Sequence, residues 1–477
     1  MSRSTIWLSI GSRGPDVHFG VVEVPHHPAL FTPIIMSELG RVLAVTFHQQ
    51  IQNNRPLEMA SVTTKPRIIE LAQMISNSTE KLQNILTAKS IPSPTFDENA
   101  PTKLPAEASE DRDVILDAAS ELYDLLLEPL TALNKTSAMN NLVHMQLISR
   151  YGIAEMIPPG GTMTFAEIAS KTGINENIVR RILRHGMTHR VFREPQPRTV
   201  AHTKLSRQLA NSNLSSWAEI AGDEMWLSNA KMLDAALKWP NSQEPSQTGF
   251  TVASNTASSI YEALGKDPER AEKFSSSMKA YADSPGYDVN YLLDNFDWKS
   301  LGQVRILDIG GARGHIAIAL TSQFPELSVT VQDLGHVVDG ADQEVPQPLR
   351  QRVCFQEYNF FSPQSVSADV YIFRWIFHNW SDKYCIEILR AQIPSFRSGA
   401  RILIQDGCLP EPGEIPLWME RDMRAMDLTM AAVFNAKERA LDDWKALLTE
   451  ADARFEMQNV IQPKGSALAI IDVRWTV

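Results

Sequence analysis

One histidine, His378, stands in the run FRWIFHNWSD, where its imidazole could exchange a proton near neutral pH. The overlapping apolar stretch ADVYIFRW predicts a buried strand, and open α/β sheets gather ligands and catalytic groups in the loop after such a strand. A lone histidine there could equally cap a helix or hydrogen-bond within a core. Its function therefore depends on the groups that the rest of the chain places beside it.

A glycine-rich turn precedes this loop. The predicted strand VRILDIG runs into GARGHIAIAL, so Gly310 and Gly311 lie in a strand-to-helix turn that lets the backbone approach a ligand closely. The run lacks the GxGxxG spacing of dinucleotide sites, and Asp308 would repel a pyrophosphate but attract an ammonium group. Asp333 ends the next predicted strand, where its carboxylate could bind ribose hydroxyls. S-adenosyl-L-methionine, a nucleoside with a cationic amino-acid tail, fits these groups better than a dinucleotide.

The carboxyl-terminal part of the chain alternates between strand and helix patterns. We predict strands in VRILDIG, SVTVQDL, VCFQEYNF, ADVYIFRW and ARILIQDG, and two more around a Pro463–Gly465 turn. The prediction for residues 301–477 is therefore an α/β domain with a Rossmann-like, mainly parallel sheet closed by a terminal hairpin.

The part of the chain before residue 301 is predicted to be mainly helical. Residues 111–212 contain a helix, a turn, a second helix and a short β wing, which is typical of a winged helix. Residues 213–300 predict a helical connector whose Met and Trp side chains could line a pocket for a flat substrate. Residues 1–110 predict a partly disordered extension and linker with one amphipathic helix, and whether residues 1–58 belong to the functional protein stays open.

Composition limits the possible partners. The 477 residues, 43% hydrophobic and 21% charged, are typical of a soluble globular protein of two or three domains. The net charge of -11 opposes a nucleic-acid surface, so we expect the winged helix to serve dimerisation despite Arg180, Arg181 and Arg184. Three cysteines without CxxC or Cys/His clusters predict no disulfide framework and no metal site. We expect a cytoplasmic protein that binds neither nucleic acid nor membrane.

Six ordered motifs resemble those of the plant and fungal O-methyltransferases of the caffeate/flavonoid type, which need no metal. The motifs are LDIGGARG, QDL, EYNFF, FRWIFHNWSD, IQDGCLP and NAKERA, and the resemblance covers roughly residues 111–477. It implies a class I methyltransferase sheet behind a winged-helix dimerisation domain, a homodimer, and S-adenosyl-L-methionine as methyl donor. The acceptor would be a phenolic hydroxyl of a small aromatic, polyketide-like compound of fungal secondary metabolism.

The resemblance also implies roles for matched positions. His378 would be the general base, while Asp406 and Glu438 would hold the imidazole and the acceptor in place. Asp406 could accept a hydrogen bond from the other imidazole nitrogen. The expected cofactor contacts are Asp308 with the amino-acid tail, Gly310 and Gly311 through the backbone, Asp333 with the ribose, Asn359 and Phe360 with the adenine, and Arg374 with the methionine or ribose side.

The chain departs from the family pattern at several matched positions, none of which removes the base or the acids. They are Ala312 and Arg313 in the glycine loop, Asn359 where an acid is common, Asn379 where Asp is usual, and Asn435-Ala436 in place of two glycines.

Two other functions fit parts of the sequence. One is an S-adenosylmethionine-dependent pericyclase or cyclase on the same fold, with the sulfonium as a fixed charge and His378 as a hydrogen-bond donor. The other is a regulator that binds DNA through the winged helix and a ligand through the sheet. The histidine together with both acids favours methyl transfer over the first, and the net charge opposes the second. No residue identifies the acceptor.

Overall fold

The computed structural model describes residues 65–136 and 140–476, so the extension predicted for residues 1–58 lies outside the described residues. Its α-helices are α1 (Arg67–Ala88), α2 (Ser109–Leu126), α3 (Pro129–Thr136), α4 (Val143–Arg150), α5 (Ile153–Met156), α6 (Phe165–Thr172), α7 (Glu176–Thr188), α8 (Lys204–Gln208), α9 (Ser212–Ile220), α10 (Trp226–Ala230), α11 (Met232–Lys238), α12 (Gly249–Ala253), α13 (Ile260–Leu264), α14 (Pro268–Ala282), α15 (Asn290–Asn295), α16 (His315–Gln323), α17 (Gly335–Val338), α18 (Asp382–Gln392), α19 (Leu417–Phe434) and α20 (Leu441–Ala451). Its strands are β1 (Met163–Thr164), β2 (Thr199–Val200), β3 (Val304–Ile309), β4 (Leu327–Asp333), β5 (Val353–Glu357), β6 (Val370–Arg374), β7 (Arg401–Asp406), β8 (Cys408–Leu409), β9 (Arg439–Ala440), β10 (Phe455–Ile461) and β11 (Ala469–Trp475). Within these described residues no helix is long and apolar enough to cross a membrane.

Seven strands form the central sheet in the order β10-β11-β7-β6-β3-β4-β5. Strands β3 to β7 are parallel, whereas β11 runs antiparallel to both β7 and β10. One face packs against α18 and α20, and the other against α15 and α16. Because helices cover both faces, a central strand such as β6 is buried throughout and apolar along most of its length. The predicted α/β sheet with its terminal hairpin is confirmed.

The sheet brings the two predicted site segments to one edge. The chain passes outward from β3 through β4 to β5 and then returns to the other side of β3 as β6. Ligands bind at such a reversal, at the carboxyl ends of the parallel strands. The glycine turn follows β3 and the histidine loop follows β6, so both lie at this position.

The predicted winged helix is present in reduced form. Thr164 and Glu167 make a capping box at the start of α6, and Gly173 ends that helix at φ +72°, which turns the chain into α7. The wing is the two-residue pair β1–β2. On α7, Arg184 pairs with Glu194 within the same module.

The amino-terminal helices α1 and α2 pack antiparallel. Arg67 at the start of α1 pairs with Glu121 near the end of α2, with Nη2 and Oε2 2.6 Å apart. Residues 91–111, which have the composition of a linker, run from the end of α1 into the first turn of α2 and are anchored. Leu104 packs into the core between the two helices, and the Phe96 carbonyl accepts the Lys204 N–H at 3.1 Å. The side chain of Leu104 and the backbone of Phe96 thus hold the segment in place.

The first turn of α19 is capped from another part of the chain. Its preceding residue, Pro416, offers no side-chain cap, and Asp117 of α2 takes that role. The two Asp117 carboxylate oxygens accept the N–H groups of Leu417 at 3.0 Å and Trp418 at 3.1 Å, across 300 residues of sequence. Arg421 adds a bond to Ser120 at 2.9 Å. The helix α2 therefore fixes the start of α19, which leads directly to Glu438.

Loss of this cap should destabilise the protein. Asp117→Ala leaves two helix N–H groups without their partner, and we expect the free energy of unfolding to fall by about 1 kcal/mol. Asp117→Asn, whose amide oxygen can still accept one bond, should lose less. Urea unfolding of the two variants beside the unaltered protein measures the effect, and equal midpoints for Asp117→Ala and the unaltered protein would contradict it.

Candidate active site

His378 lies in a single 3-10 turn, Phe377–Asn379, directly after β6. Its Nδ1 is 2.9 Å from Glu438 Oε1, and the two side chains are only 14% and 9% exposed. An ionised carboxylate can only accept, so Nδ1 carries the hydrogen and Nε2 keeps its lone pair in the neutral imidazole. The contact thus prepares Nε2 to accept a proton.

Asp406, at the end of β7, is fully buried and bonds to backbone. Its Oδ2 accepts the His378 N–H at 3.2 Å, and its Oδ1 accepts the Gly407 N–H at 3.2 Å. This differs from the expected bond to the imidazole, because the turn directs the amide of His378 toward the strand end while Glu438 holds the ring. The structure thus brings all three predicted catalytic residues together, with Asp406 orienting the loop.

The surrounding charges favour the protonated form of His378. Burial lowers the pKa of His378, but the carboxylates of Asp406 and Glu438 outweigh that effect and raise the pKa above its ordinary value. For the carboxyl group of Asp406 burial has the opposite effect and raises the pKa to about 6. A base with a raised pKa holds an abstracted proton more firmly, which suits a weakly acidic acceptor.

Arg439, which the sequence analysis did not assign, ties the two catalytic loops together. Its guanidinium is completely buried and donates to the carbonyls of Phe377 and Trp380, both at 3.0 Å, which flank His378. It also pairs with Asp382, with Nη2 and Oδ1 2.7 Å apart. Arg439 follows Glu438 directly in NAKERA. Its position next to a predicted catalytic acid was the one feature of the sequence that could have indicated its role.

Asp427 and Gly407 hold Glu438 in place. Asp427 Oδ1 accepts the Glu438 N–H at 2.9 Å from the facing side of α19. At Gly407 an added Cβ would collide with the Glu438 carboxylate, so a larger residue would push that carboxylate out of its present position. The sequence offered no pattern that separates Asp427 from other acids on an amphipathic helix.

Aromatic rings surround the imidazole. Trp375 has φ +56°, a left-handed conformation that costs a bulky residue about 1–2 kcal/mol. Its ring lies within 9° of parallel to that of His378, with centroids 6.1 Å apart, and 4.5 Å from that of Tyr287. Trp380 in turn stacks on Tyr261 at 6.2 Å. These faces could receive a flat ring beside the base.

The glycine turn has the features of a site for a cationic ligand tail. Asp308 is 1% exposed, and its Oδ2 has no hydrogen-bond partner within the described part of the chain. Burial raises its pKa to about 7. An added Cβ at Gly311 would lie 2.6 Å from the Asp308 carboxyl carbon, and Gly310 has φ +70° against the side chain of Ile376. A buried, unpaired carboxylate under a turn that only glycine can form fits the ammonium of S-adenosylmethionine.

Asp333 orders the other side of this turn. Its Oδ2 accepts the Ala312 N–H at 2.9 Å and its Oδ1 the Leu334 N–H at 2.7 Å, which leaves lone pairs for a ribose diol. Ala312 adopts φ +49°, and Arg313 reaches away to the Asp339 carbonyl at 2.8 Å. Ala312 and Arg313, the two departures from the family pattern, therefore bond to neighbouring segments, and neither side chain fills the glycine turn.

The remaining predicted cofactor residues are placed differently from one another. Phe360 lies beside Gly310 at the turn. Asn359 is exposed, and its Oδ1 accepts the backbone N–H of Phe361 at 3.1 Å, so its amide NH₂ is the group left for a ligand. The buried Arg374 is held by Gln405 Oε1 at 2.5 Å and by the Tyr287 carbonyl at 2.6 Å.

Two family models match the chain. The O-methyltransferase dimerisation domain matches residues 142–212, and the O-methyltransferase domain matches residues 236–454. The O-methyltransferase PaMT of Phomopsis amygdali is 44% identical over 410 residues, which is 85% of this chain and 96% of that protein. This chain belongs to the O-methyltransferase family. The Grayanic acid biosynthesis cluster O-methyltransferase of Cladonia grayi is 36% identical over 86% of this chain and 88% of its own length.

Solved structures share the fold of this O-methyltransferase. The crystal structure of OxaC aligns with a TM-score of 0.69 at 21% identity, over 86% of this chain and all (100%) of that one. A pericyclic reaction enzyme aligns with a TM-score of 0.66 at 20% identity, and the alignment covers 85% of this chain and 100% of that enzyme. At such identity the likeness establishes the fold alone. By its family the protein is an S-adenosylmethionine-dependent O-methyltransferase of fungal secondary metabolism.

The unpaired Asp308 predicts pH-dependent cofactor binding. Its carboxylate attracts an ammonium group only when ionised, and its pKa of about 7 means that it is mostly neutral below that pH. Affinity for S-adenosylhomocysteine should therefore weaken as the pH falls, roughly tenfold from about pH 8 to about pH 6. Calorimetric titration tests this, and Asp308→Asn should bind weakly with little pH dependence. An equal Kd at both pH values in the unaltered enzyme would refute the role.

Proposed function

We propose that this O-methyltransferase methylates a phenolic hydroxyl of a small aromatic, polyketide-like metabolite, with His378 as the general base. The observation that carries the proposal is the 2.9 Å contact between His378 Nδ1 and Glu438 Oε1 at the carboxyl edge of the sheet. It leaves Nε2 as the proton acceptor. A pericyclase would need the same imidazole to donate a hydrogen bond from Nε2, whereas the neutral ring, with its hydrogen on Nδ1 toward Glu438, can only accept there.

The proposed chemistry needs alignment and a proton acceptor. When bound, S-adenosylmethionine supplies a methyl group on a sulfonium, which is already an activated leaving group. A free phenol has a pKa near ~10 and an imidazole near ~6.5, so complete deprotonation by an ordinary histidine is uphill. Transfer of the proton to His378 Nε2 during attack avoids a free phenolate, and such catalysis is worth roughly 10²–10⁴-fold. Glu438 and Asp406 stabilise the resulting imidazolium.

The aromatic surround supports an aromatic acceptor. The rings of Trp375 and His378 lie parallel and Trp380 stacks on Tyr261, so flat aromatic faces lie on either side of His378 in the sequence. We infer that the acceptor ring lies against these faces with its hydroxyl at Nε2.

We assign cofactor roles by the same reasoning. The buried carboxylate of Asp308 would pair with the ammonium group, and Asp333 would accept hydrogen bonds from the ribose. The remaining proposed contacts are the backbone of Gly310 and Gly311, the ring of Phe360 and the amide of Asn359 with the adenine, and Arg374 at the amino-acid end.

We also propose that the enzyme is a homodimer. The dimerisation-domain match supports this, and so do exposed leucines on α2, α3 and α11 that association of two chains could bury. The most exposed of these side chains, at 66–81%, are Leu126, Leu130, Leu133, Leu233 and Leu237.

Replacement of the base tests the proposal. His378→Gln should lower kcat by at least about 10²-fold, because the proton acceptor is lost, while the Kd for S-adenosylhomocysteine changes little. His189→Gln, a change at an exposed imidazole directly after α7, is the control and should behave as the unaltered enzyme. Mass analysis of products from candidate phenols supplies the reaction type. A product without an added methyl group would indicate a cyclase, and full activity of His378→Gln would eliminate the base.

Removal of the charge next to the base should move the pH profile. Neutral His378 is the active form, so kcat/KM rises as the pH passes through its pKa. Glu438→Gln removes one of the carboxylates that raise this pKa, so the acid limb should shift to lower pH while kcat falls. Initial rates between about pH 5 and about pH 9 measure both effects. If the acid limb of kcat/KM lay at the same pH in Glu438→Gln and in the unaltered enzyme, Glu438 would not act on His378.

A further inference from the structure

A short segment outside the catalytic motifs contacts both catalytic loops. We call residues 242–244 the clasp, residues 375–384 the histidine loop and residues 435–438 the glutamate loop. The clasp follows α11 and precedes α12, and its side chains are partly or fully exposed. The two loops lie far apart in sequence, since His378 and Glu438 are separated by 60 residues.

On one side the clasp holds the histidine loop. Gln243 Oε1 accepts the Lys383 N–H at 2.8 Å, at the start of α18, where the preceding Ser381 makes no side-chain cap. Instead, Ser381 Oγ donates to the Gln243 carbonyl at 2.8 Å. Glu244 adds bonds to Lys383 Nζ and to the Tyr384 hydroxyl, each at 2.7 Å. Four bonds thus join the clasp to the residues that follow His378.

On the other side the clasp holds the glutamate loop through one residue. Asn435 Nδ2 donates to the Ser242 carbonyl at 2.9 Å and to the Glu244 carbonyl at 3.1 Å. Asn435 ends α19 with φ +56°, a left-handed conformation that glycine adopts freely and asparagine tolerates. Glycine would form the same turn but would have no amide to donate. This gives a physical purpose to Asn435 where the family commonly has glycine.

We propose that the clasp fixes the distance between His378 and Glu438, and that Asn435 and Gln243 are positioning residues for the base. This inference rests on the proposed function of His378. The buried Arg439 ties the loops from inside, and the clasp ties them from outside. A contact of 2.9 Å between two side chains requires both backbones to be held, because movement of about an ångström at a catalytic group costs up to about 10²-fold in rate.

Asn435→Gly tests the clasp directly. It keeps the left-handed backbone and removes only the amide, so the glutamate loop should move away from His378. We expect the pKa of His378 to fall, because Glu438 then raises it less, and kcat to fall roughly tenfold. The Kd for S-adenosylhomocysteine should not change, because the clasp contacts no proposed cofactor residue. The matched control is Asn255→Gly, the same substitution at an exposed left-handed asparagine (φ +49°), which should alter neither quantity.

Histidine NMR with labelled imidazole carbons supplies the pKa of His378, and the His378→Gln spectrum identifies its signal. Gln243→Ala should give the same direction of change. The double variant should lose no more than the worse single variant, because both act through one segment. If Asn435→Gly does not fold, Gln243→Ala decides the matter.

The NMR readout separates the two proposals. An unchanged His378 pKa in Asn435→Gly and Gln243→Ala, or additive losses in the double variant, would overturn the clasp even if the enzyme methylates phenols. A lowered pKa in both variants would support the clasp even if no candidate phenol gains a methyl group, and only the proposed function would then fail.

Discussion

The contact between His378 and Glu438 is the constraint on which the rest of the site depends. A 2.9 Å bond joins side chains from two separate loops, and neither loop can hold that distance alone. The fold meets this requirement with a buried guanidinium, a backbone amide fixed on Asp406, and an acid on α19 that holds the amide of Glu438. The positions of both side chains are thus set by residues outside the pair itself.

Charge burial sets the chemical character of the cleft. Asp308 and Asp406 both end parallel strands, where solvent is excluded and the pKa of each carboxyl is raised. Backbone amides satisfy Asp406 but leave one oxygen of Asp308 free, so only the latter is available to a ligand. The two acids stand on either side of the strand that leads to the histidine loop, since β6 lies between β3 and β7. Two buried acids near the same edge of one sheet therefore differ in whether the protein itself satisfies them.

Periodicity predicted the strands and the glycine turn, because it determines which residues reach the edge of a sheet, whereas the resemblance to the family supplied His378, Asp406 and Glu438. The sequence did not predict which acid contacts the imidazole, since spacing does not fix side-chain direction. Arg439 was missed because its role depends on the carbonyls of Phe377 and Trp380. The left-handed conformations of Trp375 and Asn435 were also beyond reach, because surrounding contacts impose them against local preference.

The cap that Asp117 places on α19 has a consequence during synthesis. The carboxylate and the amides that it binds are 300 residues apart, so α2 leaves the ribosome long before its partner exists. At about 5–20 residues per second the delay is on the order of fifteen seconds to a minute. Throughout that interval Asp117 and Ser120 of α2 lack the groups of α19 that they later bind. The contacts of α2 are therefore completed only after α19 has been synthesised.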